Sequence, residues 1–415
     1  HVPRETAGDG LHLASPHFST RVARVLNVII FLAVMATGGL LMMPRLAQSP
    51  SWRAMMTPLA SIIGSGFLIL GPVLNALYGA WAPLIMGLLC LVAWAFGAAV
   101  RYNIADRADD RPEGSLEVRL DGASSWALAF AYAIAVAYYL NLFGAFAVDL
   151  TPWNDTFHAR LVTSAVFDLI LSVGWTRGFS ALERMEMISV GIKLSIIAGL
   201  LVGLAWFFAG KAANHELVIN PVGVGLWQGI ALGFGLIVTV QGFETSRYLG
   251  ANYDARTRIT SMRWAQMLSA AIYMVYIGLI SYVFDHQSTQ VDEAGIIEMT
   301  RVVAPILPSI LVAAALAAQF SAAVADTSGA GGLIAELTAQ KLKPARAYGL
   351  LVAAGLLMTW TLDVFEIISY ASRAFALYYA LQSGVAASAA HRAGQRGRAL
   401  RFALLALFGL VIVIF

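Results

Sequence analysis

Charged residues are scarce in this chain of 415 residues: Asp, Glu, Lys and Arg make up only 12% of it, against 59% hydrophobic residues. Soluble domains contain roughly 25% charged residues, and the mean hydropathy of +0.73 implies more apolar surface than one aqueous core can bury. The composition therefore excludes a single water-soluble domain. We expect an integral, multi-pass membrane protein of a plasma membrane or a bacterial inner membrane.

Cysteine is nearly absent, and common catalytic motifs are not found. Cys90 is the sole cysteine, which excludes an intrachain disulfide. The sequence has no GxxxxGK[ST] phosphate loop, no GxSxG nucleophile elbow and no HExxH zinc pair. We therefore expect no enzyme activity, no cofactor, no metal site and no nucleic-acid partner.

Apolar windows near the length of about 20 residues that a helix needs to cross hydrocarbon recur along the chain. Twelve windows fall at 25–44, 57–77, 80–101, 125–148, 160–177, 186–208, 225–246, 264–284, 303–325, 346–362, 366–390 and 399–415. We predict an all-α polytopic membrane protein of about 12 transmembrane helices, preceded by a polar segment over 1–24. Because the last window ends inside an apolar run, we expect the chain to be a stretch of a longer protein.

Arginine and lysine are distributed unevenly among the loops. One set of alternate loops is rich in them, whereas the other set holds only Arg160, Lys211 and Arg301. Positive residues are retained on the cytoplasmic side, so the arginine-rich loops are predicted to be cytoplasmic. The segment before residue 25 is the exception, and helix 25–44 either spans against this rule or lies in the interface; we interpret it as a spanning helix.

The second apolar window is interrupted by the triplet Gly64-Ser65-Gly66. Unpaired backbone at membrane depth is tolerated only where it lines a cavity or is buried in protein. Small residues at this depth therefore indicate a candidate binding site in a transporter. They also permit close helix packing, which is the better interpretation of the triplet taken alone.

The triplet belongs to a pattern that resembles the amino acid-polyamine-organocation (APC) superfamily of secondary transporters over residues 57–390. The first core helix of that family carries an Ile-Gly-Ser-Gly-Ile-Phe type break, and this chain reads Ile63-Gly64-Ser65-Gly66-Phe67. The Gly-Phe-Glu signature of the sixth core helix is matched by Gly242-Phe243-Glu244. Each motif is weak alone, but their order, spacing and topology together are specific.

The resemblance implies a LeuT-like fold of two inverted five-helix repeats, here over about 57–208 and 225–390. Helix 25–44 is then an addition before the core, and 399–415 is a further helix after it. The first and sixth core helices are expected to be discontinuous and to meet near the bilayer midplane. Their half-helix ends expose N–H groups and carbonyls, which suits a zwitterionic amino acid.

By this resemblance, the backbone of Gly64-Ser65-Gly66 is expected to hold a substrate carboxylate. The stretch Thr239-Val240-Gln241-Gly242 would offer carbonyls to an ammonium group. Gln241 is either a side-chain contact for the substrate or an interhelical hydrogen-bonding residue. Tyr138 and Tyr370 could line the cavity, or could serve as interfacial anchors or packing residues.

Lys193 lies deep within an apolar stretch over 189–203. Ionisable residues inside a membrane are functional candidates by default, although a lysine can also extend its ammonium group to the interface. Ile192-Lys193-Leu194 resembles the fifth core helix of proton-coupled APC members, where a lysine occupies the place of a sodium ion. The resemblance implies that Lys193 couples transport to protons, and that Ser321 lies where the eighth core helix approaches this ion site.

Two acids complete the candidate ion-coupling group of Lys193, Ser321, Asp326 and Glu244. Asp326 departs from the amino acid permeases, and an intramembrane carboxylate needs a partner or a proton. Lys193 and Arg373 are candidate partners, unless Asp326 lies near the cytoplasmic end of its helix and meets water. Glu244 is either a proton-responsive carboxylate beside the site or a structural acid paired with Arg247.

These features predict a secondary active transporter that moves a small organic solute by proton-coupled alternating access. An amino acid is the first choice of substrate. The loop after the sixth core helix lacks the family's proline motif, which leaves amines, other solutes and inorganic ions open. A solute sensor built on a transporter fold is the alternative from another class, but an intact lysine beside an intact break favours transport. The expected partners are a small-molecule substrate, protons and the lipid bilayer.

Overall fold

The computed structural model describes residues 20–64, 66–106, 115–149, 151–176, 179–249, 253–285, 295–339 and 341–414. These ranges are helical and contain no β-strand. The α-helices are α1 (Thr20–Met42), α2 (Pro44–Ala47), α3 (Pro50–Ile62), α4 (Phe67–Tyr78), α5 (Ala82–Ala105), α6 (Leu116–Asp149), α7 (Thr156–Thr176), α8 (Phe179–Ala213), α9 (Leu226–Gly235), α10 (Ala255–Ile280), α11 (Gly295–Arg301), α12 (Leu307–Leu337), α13 (Pro344–Thr361), α14 (Val364–Arg392) and α15 (Arg396–Ile414). Short 3₁₀ helices cover Gly79–Trp81, Leu236–Val240 and Phe243–Tyr248.

Within the described ranges, eight helical stretches are long and apolar enough to cross a membrane, with α4 and α5 counted as one stretch. The helices α3, α9, α13 and α14 also coincide with predicted windows, but they are shorter or less apolar. The prediction of an all-α polytopic membrane protein is confirmed.

Helix α1 packs lengthwise along α8. Three close pairs run in opposite directions along the two helices: Ile30 with Gly203, Val34 with Gly199, and Gly38 with Ser195. Small residues at every fourth position of α8 let the two helices approach closely, as is common between transmembrane helices. The antiparallel packing supports the interpretation of α1 as a spanning helix rather than an interfacial one.

Two helices are broken where the sequence predicts discontinuity. Helix α3 ends at Ile62 and α4 begins at Phe67. The second break lies between the 3₁₀ helices Leu236–Val240 and Phe243–Tyr248, where Gln241 is extended and Gly242 has a φ of +114°. Glycine adopts such a positive φ without the steric cost that a side chain brings. The inverted relation between the two halves of the chain stays a prediction.

The two breaks touch each other through their glycines. A Cβ atom on Gly66 would lie 2.4 Å from Thr239 Cγ2, and one on Gly242 would lie 2.5 Å from Ser61 Oγ. No side chain therefore fits at either position without a shift of its neighbours. Close packing, one of the two explanations that the sequence offers for the first glycine triplet, is therefore present at Gly66. The binding role of the triplet stays a prediction.

Candidate functional site

The carboxyl end of α3 forms the centre of the candidate site. Lys193 Nζ donates hydrogen bonds to the carbonyls of Ala60 and Ile63, each at 2.7 Å. The Tyr273 hydroxyl lies 2.9 Å from the carbonyl of Ile62. The last carbonyls of an α-helix have no partner within the helix and carry partial negative charge. The break exposes these carbonyls inside the protein, and the ammonium group of Lys193 occupies the place they form.

Lys193 is fully buried, with 0% of its surface exposed. Its third hydrogen bond goes to Ser321 Oγ at 3.0 Å, and that hydroxyl in turn donates to the carbonyl of Ala318. An ammonium group has three donors, so every donor of Lys193 has a partner. The structure thus brings Lys193 of α8 and Ser321 of α12 together at the end of α3. The alternative in which Lys193 extends to the membrane surface does not fit this geometry.

Asp326 is also fully buried, in the interior of α12. Its Oδ1 accepts a hydrogen bond of 3.2 Å from Ser61 Oγ, on the same turn of α3 that Lys193 binds. The expected pairing of Asp326 with Lys193 is wrong, because the lysine donors go to other groups. The alternative that Asp326 merely meets water at a helix end is wrong as well.

Glu244 is held by the second break. Its Oε2 accepts hydrogen bonds from the Gly242 backbone N–H at 2.9 Å and from the Tyr379 hydroxyl at 2.7 Å. The alternative pairing of Glu244 with Arg247 is wrong, since Arg247 donates to Asp121 and Gln382 instead.

The buried carboxyl groups of Asp326 and Glu244 each have one oxygen without a hydrogen bond among the described residues. Among the described residues, Glu244 Oε1 and Asp326 Oδ2 have no hydrogen-bond partner. Both acids are hydrogen-bonded to residues at the contact between the two breaks. Asp326 binds Ser61 of the first break, Glu244 binds Gly242 of the second, and Ser61 packs against Gly242. Both free oxygens are thus available for a proton next to the meeting point of the breaks.

The stretch 239–242, which is predicted to bind an ammonium group, already forms hydrogen bonds within the protein. Gln241 Nε2 donates to the Tyr139 hydroxyl at 2.7 Å, which matches the interhelical alternative for this residue. The carbonyl of Thr239 lies 2.7 Å from the Tyr273 hydroxyl, and the carbonyl of Gly242 accepts from Thr245 Oγ1 at 2.7 Å. A carbonyl oxygen has two lone pairs. The Thr239 carbonyl therefore keeps one acceptor position, whereas the Gly242 carbonyl, which also accepts from the Thr245 backbone N–H at 3.3 Å, keeps none.

A cavity of about 520 Å³ lies beside the breaks, walled by α4, α9, α14 and the 3₁₀ helix Leu236–Val240. Of the residues predicted to bind substrate, Gly66, Tyr138 and Thr239 line this cavity, whereas Gly64, Gln241 and Gly242 do not. Tyr370 does not line it, and 47% of that side chain is exposed on the other face of α14. Ser65 lies outside the described residues. The charge distribution predicts that the cavity is on the non-cytoplasmic side of the breaks.

A family profile described as "APC superfamily transporter" matches residues 44–415. The chain belongs to the APC superfamily. An uncharacterized protein of Aquifex aeolicus (strain VF5) is 38% identical to this APC transporter over 386 residues, which cover 90% of the chain and 92% of the relative. The predicted family and the integral, multi-pass membrane location are confirmed. The profile match begins after α1.

On the side of the breaks opposite the cavity, a polar network joins several helices of the APC transporter. Arg247 donates to Asp121 Oδ1 of α6 at 2.5 Å and to Gln382 of α14. Gln382 Nε2 donates to Asp121 Oδ1 at 3.0 Å and to Ser124 Oγ at 2.6 Å, while Asn103 of α5 donates to Gln382 Oε1 at 2.8 Å. The side opposite the cavity is therefore bridged by hydrogen bonds between α5, α6, α14 and the 3₁₀ helix Phe243–Tyr248.

Sequence reasoning missed the side chains that hold the breaks of this APC transporter in place. These are Ser61 and the buried tyrosines Tyr273 and Tyr379. Each is a polar residue within a predicted span, which is a usable signal because buried hydroxyls in membranes need partners. No metal-binding group of three or more His, Cys, Asp or Glu side chains occurs in the part of the chain that the structure describes.

Proposed function

We propose that this APC transporter is a secondary active transporter of an amino acid, with Lys193 as the group that carries the coupling proton. The observation that carries the proposal is the position of the Lys193 ammonium group. It is bound by two carbonyls of α3 and by Ser321 of α12, so it joins α8, α3 and α12 at the first break.

The charge state of Lys193 affects the position of α3. A protonated lysine has three donors, whereas the neutral amine has two. Loss of the proton therefore leaves one of its three acceptors without a donor and removes the positive charge from the carboxyl end of α3. An unsatisfied buried polar group costs about 1–3 kcal/mol, and about 1.4 kcal/mol changes an equilibrium tenfold. Deprotonation then favours conformations in which α3 leaves Lys193.

The two acids are proposed to take part in the same cycle. Asp326 binds Ser61, which lies next to the Ala60 carbonyl held by Lys193. Its free Oδ2 and the free Oε1 of Glu244 could each accept a proton. Proton exchange between Lys193 and these acids would move charge between the two breaks.

The amino end of α4 supports an amino acid as substrate. It begins at Phe67 against the cavity, with Gly66 in the cavity wall. The N-terminus of a helix carries partial positive charge and N–H groups that suit a carboxylate. The remaining acceptor position on the carbonyl of Thr239, a residue of the cavity wall, suits the ammonium group of the same molecule.

The test is uptake of a labelled amino acid mixture into proteoliposomes, with and without an inward proton gradient. Lys193→Ala is expected to abolish the stimulation by the gradient. Lys211→Ala is the matched control, since Lys211 lies at the end of the same helix and pairs with Glu216 near its surface. Monodisperse elution of Lys193→Ala in detergent checks that it folds.

Stimulation by the gradient that is equal in Lys193→Ala and the unaltered protein would contradict the coupling role. Binding of amino acids without any uptake would point instead to a solute sensor.

A further inference from the structure

We propose that the transported amino acid has a large apolar side chain, such as that of leucine, methionine or phenylalanine. This inference rests on the proposed function, because it assumes that the cavity beside the breaks holds an amino acid. It is drawn from the walls of that cavity, from the hydrogen bonds of its polar residues and from the position of Arg373, the cation among its described lining residues.

Aliphatic side chains from four separate elements face the cavity. They are Ile69, Leu70 and Val73 of α4, Leu232 of α9, Leu236 of the following 3₁₀ helix and Ile368 of α14. Ile69 and Val73 lie three and seven residues after Gly66, so they share the face of α4 that begins at the break. An amino acid held at the break therefore has its side chain directed among these residues.

Two of the four hydroxyl groups in the described cavity wall already donate to backbone carbonyls. Thr239 Oγ1 donates to the carbonyl of Leu236 at 2.5 Å, and Ser372 Oγ donates to the carbonyl of Gly235 at 2.7 Å. A polar substrate side chain in this place would lose its hydrogen bonds to water without full replacement, which is unfavourable. The wall thus selects against serine, threonine, asparagine and glutamine.

Charged substrate side chains find no buried counter-charge among the described residues of the cavity wall. No carboxylate lines the cavity among the described residues, since Asp326 and Glu244 are bound to the breaks outside it. The lining cation is Arg373, whose side chain is exposed. Burial of a charge that lacks a close, desolvated partner is strongly unfavourable, so the cavity selects against lysine, arginine, aspartate and glutamate.

Size favours the larger apolar side chains. A volume of about 520 Å³ lies within the usual range of small-molecule sites, roughly 300–1,000 Å³. One methylene in a hydrophobic pocket changes discrimination by about 10- to 200-fold. Leucine, with three carbons more than alanine, is expected to be preferred by at least about tenfold.

In the experiment, the full chain is reconstituted into proteoliposomes. An equimolar mixture of all twenty amino acids is added outside the vesicles, and an inward proton gradient is imposed. Mass spectrometry of the internal contents then gives the accumulation of each amino acid. We expect leucine, methionine or phenylalanine to exceed alanine by at least about tenfold, and lysine and glutamate to stay at the level of empty liposomes.

Accumulation of lysine, glutamate or serine above the apolar amino acids would overturn this inference and leave amino acid transport intact. Accumulation of no amino acid would overturn both.

A variant tests whether the named wall contacts the side chain. Ile69→Ala enlarges the cavity, so we expect the ratio of phenylalanine to leucine uptake to rise about tenfold. Leu350→Ala is the matched control, because Leu350 lies on α13 away from the cavity and 58% of it is exposed. A ratio that is the same in both variants would place the substrate side chain elsewhere.

Discussion

Replacement of Gly242 by alanine tests whether the contact between the two breaks is as close as described. Gly242 has a φ of +114°, and a Cβ atom there would lie 2.5 Å from Ser61 Oγ, 2.6 Å from Ser61 Cβ and 2.7 Å from the Ile62 backbone nitrogen. Unfavourable backbone conformation costs about 1–3 kcal/mol, and overpacking of a core costs about 1–3 kcal/mol. We expect Gly242→Ala to lower the free energy of unfolding by about 2–6 kcal/mol.

Three further glycines separate the two contributions. Gly394 has a φ of +72° with open space around it, so Gly394→Ala carries only the backbone cost. Gly66 has a helical φ of −84° but lies against Thr239, so Gly66→Ala carries only the packing cost. Gly278 on α10 has open space and no unusual φ, and its replacement is expected to be neutral or slightly stabilising.

The assay is the apparent melting temperature of the purified protein in detergent, together with uptake into proteoliposomes. The expected order of melting temperatures, from lowest, is Gly242→Ala, then Gly66→Ala and Gly394→Ala, then the unaltered protein and Gly278→Ala. Uptake is expected to fall in the Gly242 and Gly66 variants, since both glycines lie at the breaks. If Gly242→Ala melts and transports like the unaltered protein, the breaks do not meet as described.

Three other predictions concern the surroundings of the site. Arg247→Ala removes the donor that joins Asp121 and Gln382, and Ser328 of α12, which is only 8% exposed, serves as the reporter position. In a Cys90→Ala background, we expect Arg247→Ala to raise several-fold the rate at which a thiol reagent on the side opposite the cavity modifies Ser328→Cys. Replacement of the exposed Arg396 by alanine should leave that rate unchanged. Tyr379→Phe removes a hydrogen bond to Glu244, worth about 1.5–3 kcal/mol for a charged acceptor, and should reduce uptake at least about tenfold. Tyr370→Phe, on the exposed face of α14, should leave uptake unchanged; unchanged uptake by Tyr379→Phe would contradict the role of that hydrogen bond, and a loss in Tyr370→Phe would return Tyr370 to the candidate site. Gly199→Leu should lower the melting temperature, because a Cβ atom at position 199 would lie 2.6 Å from Val34 Cγ2. Gly191→Leu on the same helix has open space around it and should not lower the melting temperature. Equal melting temperatures of the two variants would contradict the packing of α1 on α8.

The helices and their breaks could be predicted because their causes are local. An apolar window of about 20 residues is sufficient to predict a membrane-crossing helix, and the glycines at 64, 66 and 242 mark the positions where such a helix is interrupted. The meeting of Lys193 with Ser321 was also expected, through the family resemblance rather than through any spacing in the sequence.

The partners of the buried acids could not be predicted, because they depend on how distant helices are rotated. Asp326 binds Ser61, which is 265 residues away, and Glu244 binds Tyr379, which is 135 residues away. A charge-based expectation paired Asp326 with Lys193, but the carbonyls at the end of α3 satisfy that lysine instead.

The orientation of aromatic side chains was likewise undetermined by the sequence. Tyr138 and Tyr370 are both tyrosines within predicted spans, yet Tyr138 lines the cavity with 1% of its surface exposed whereas Tyr370 is 47% exposed. Helical periodicity alone does not show which face of a span points to protein and which to lipid when both faces are apolar. Packing against neighbouring helices decides that question.

The central claim, that Lys193 carries the coupling proton, is tested most directly by proton movement during transport. A pH-sensitive dye inside proteoliposomes reports acidification when leucine, methionine and phenylalanine are added outside without an imposed gradient. The account predicts substrate-dependent acidification with the unaltered protein and with Lys211→Ala, and none with Lys193→Ala. Acidification by Lys193→Ala that equals that of the unaltered protein would contradict it.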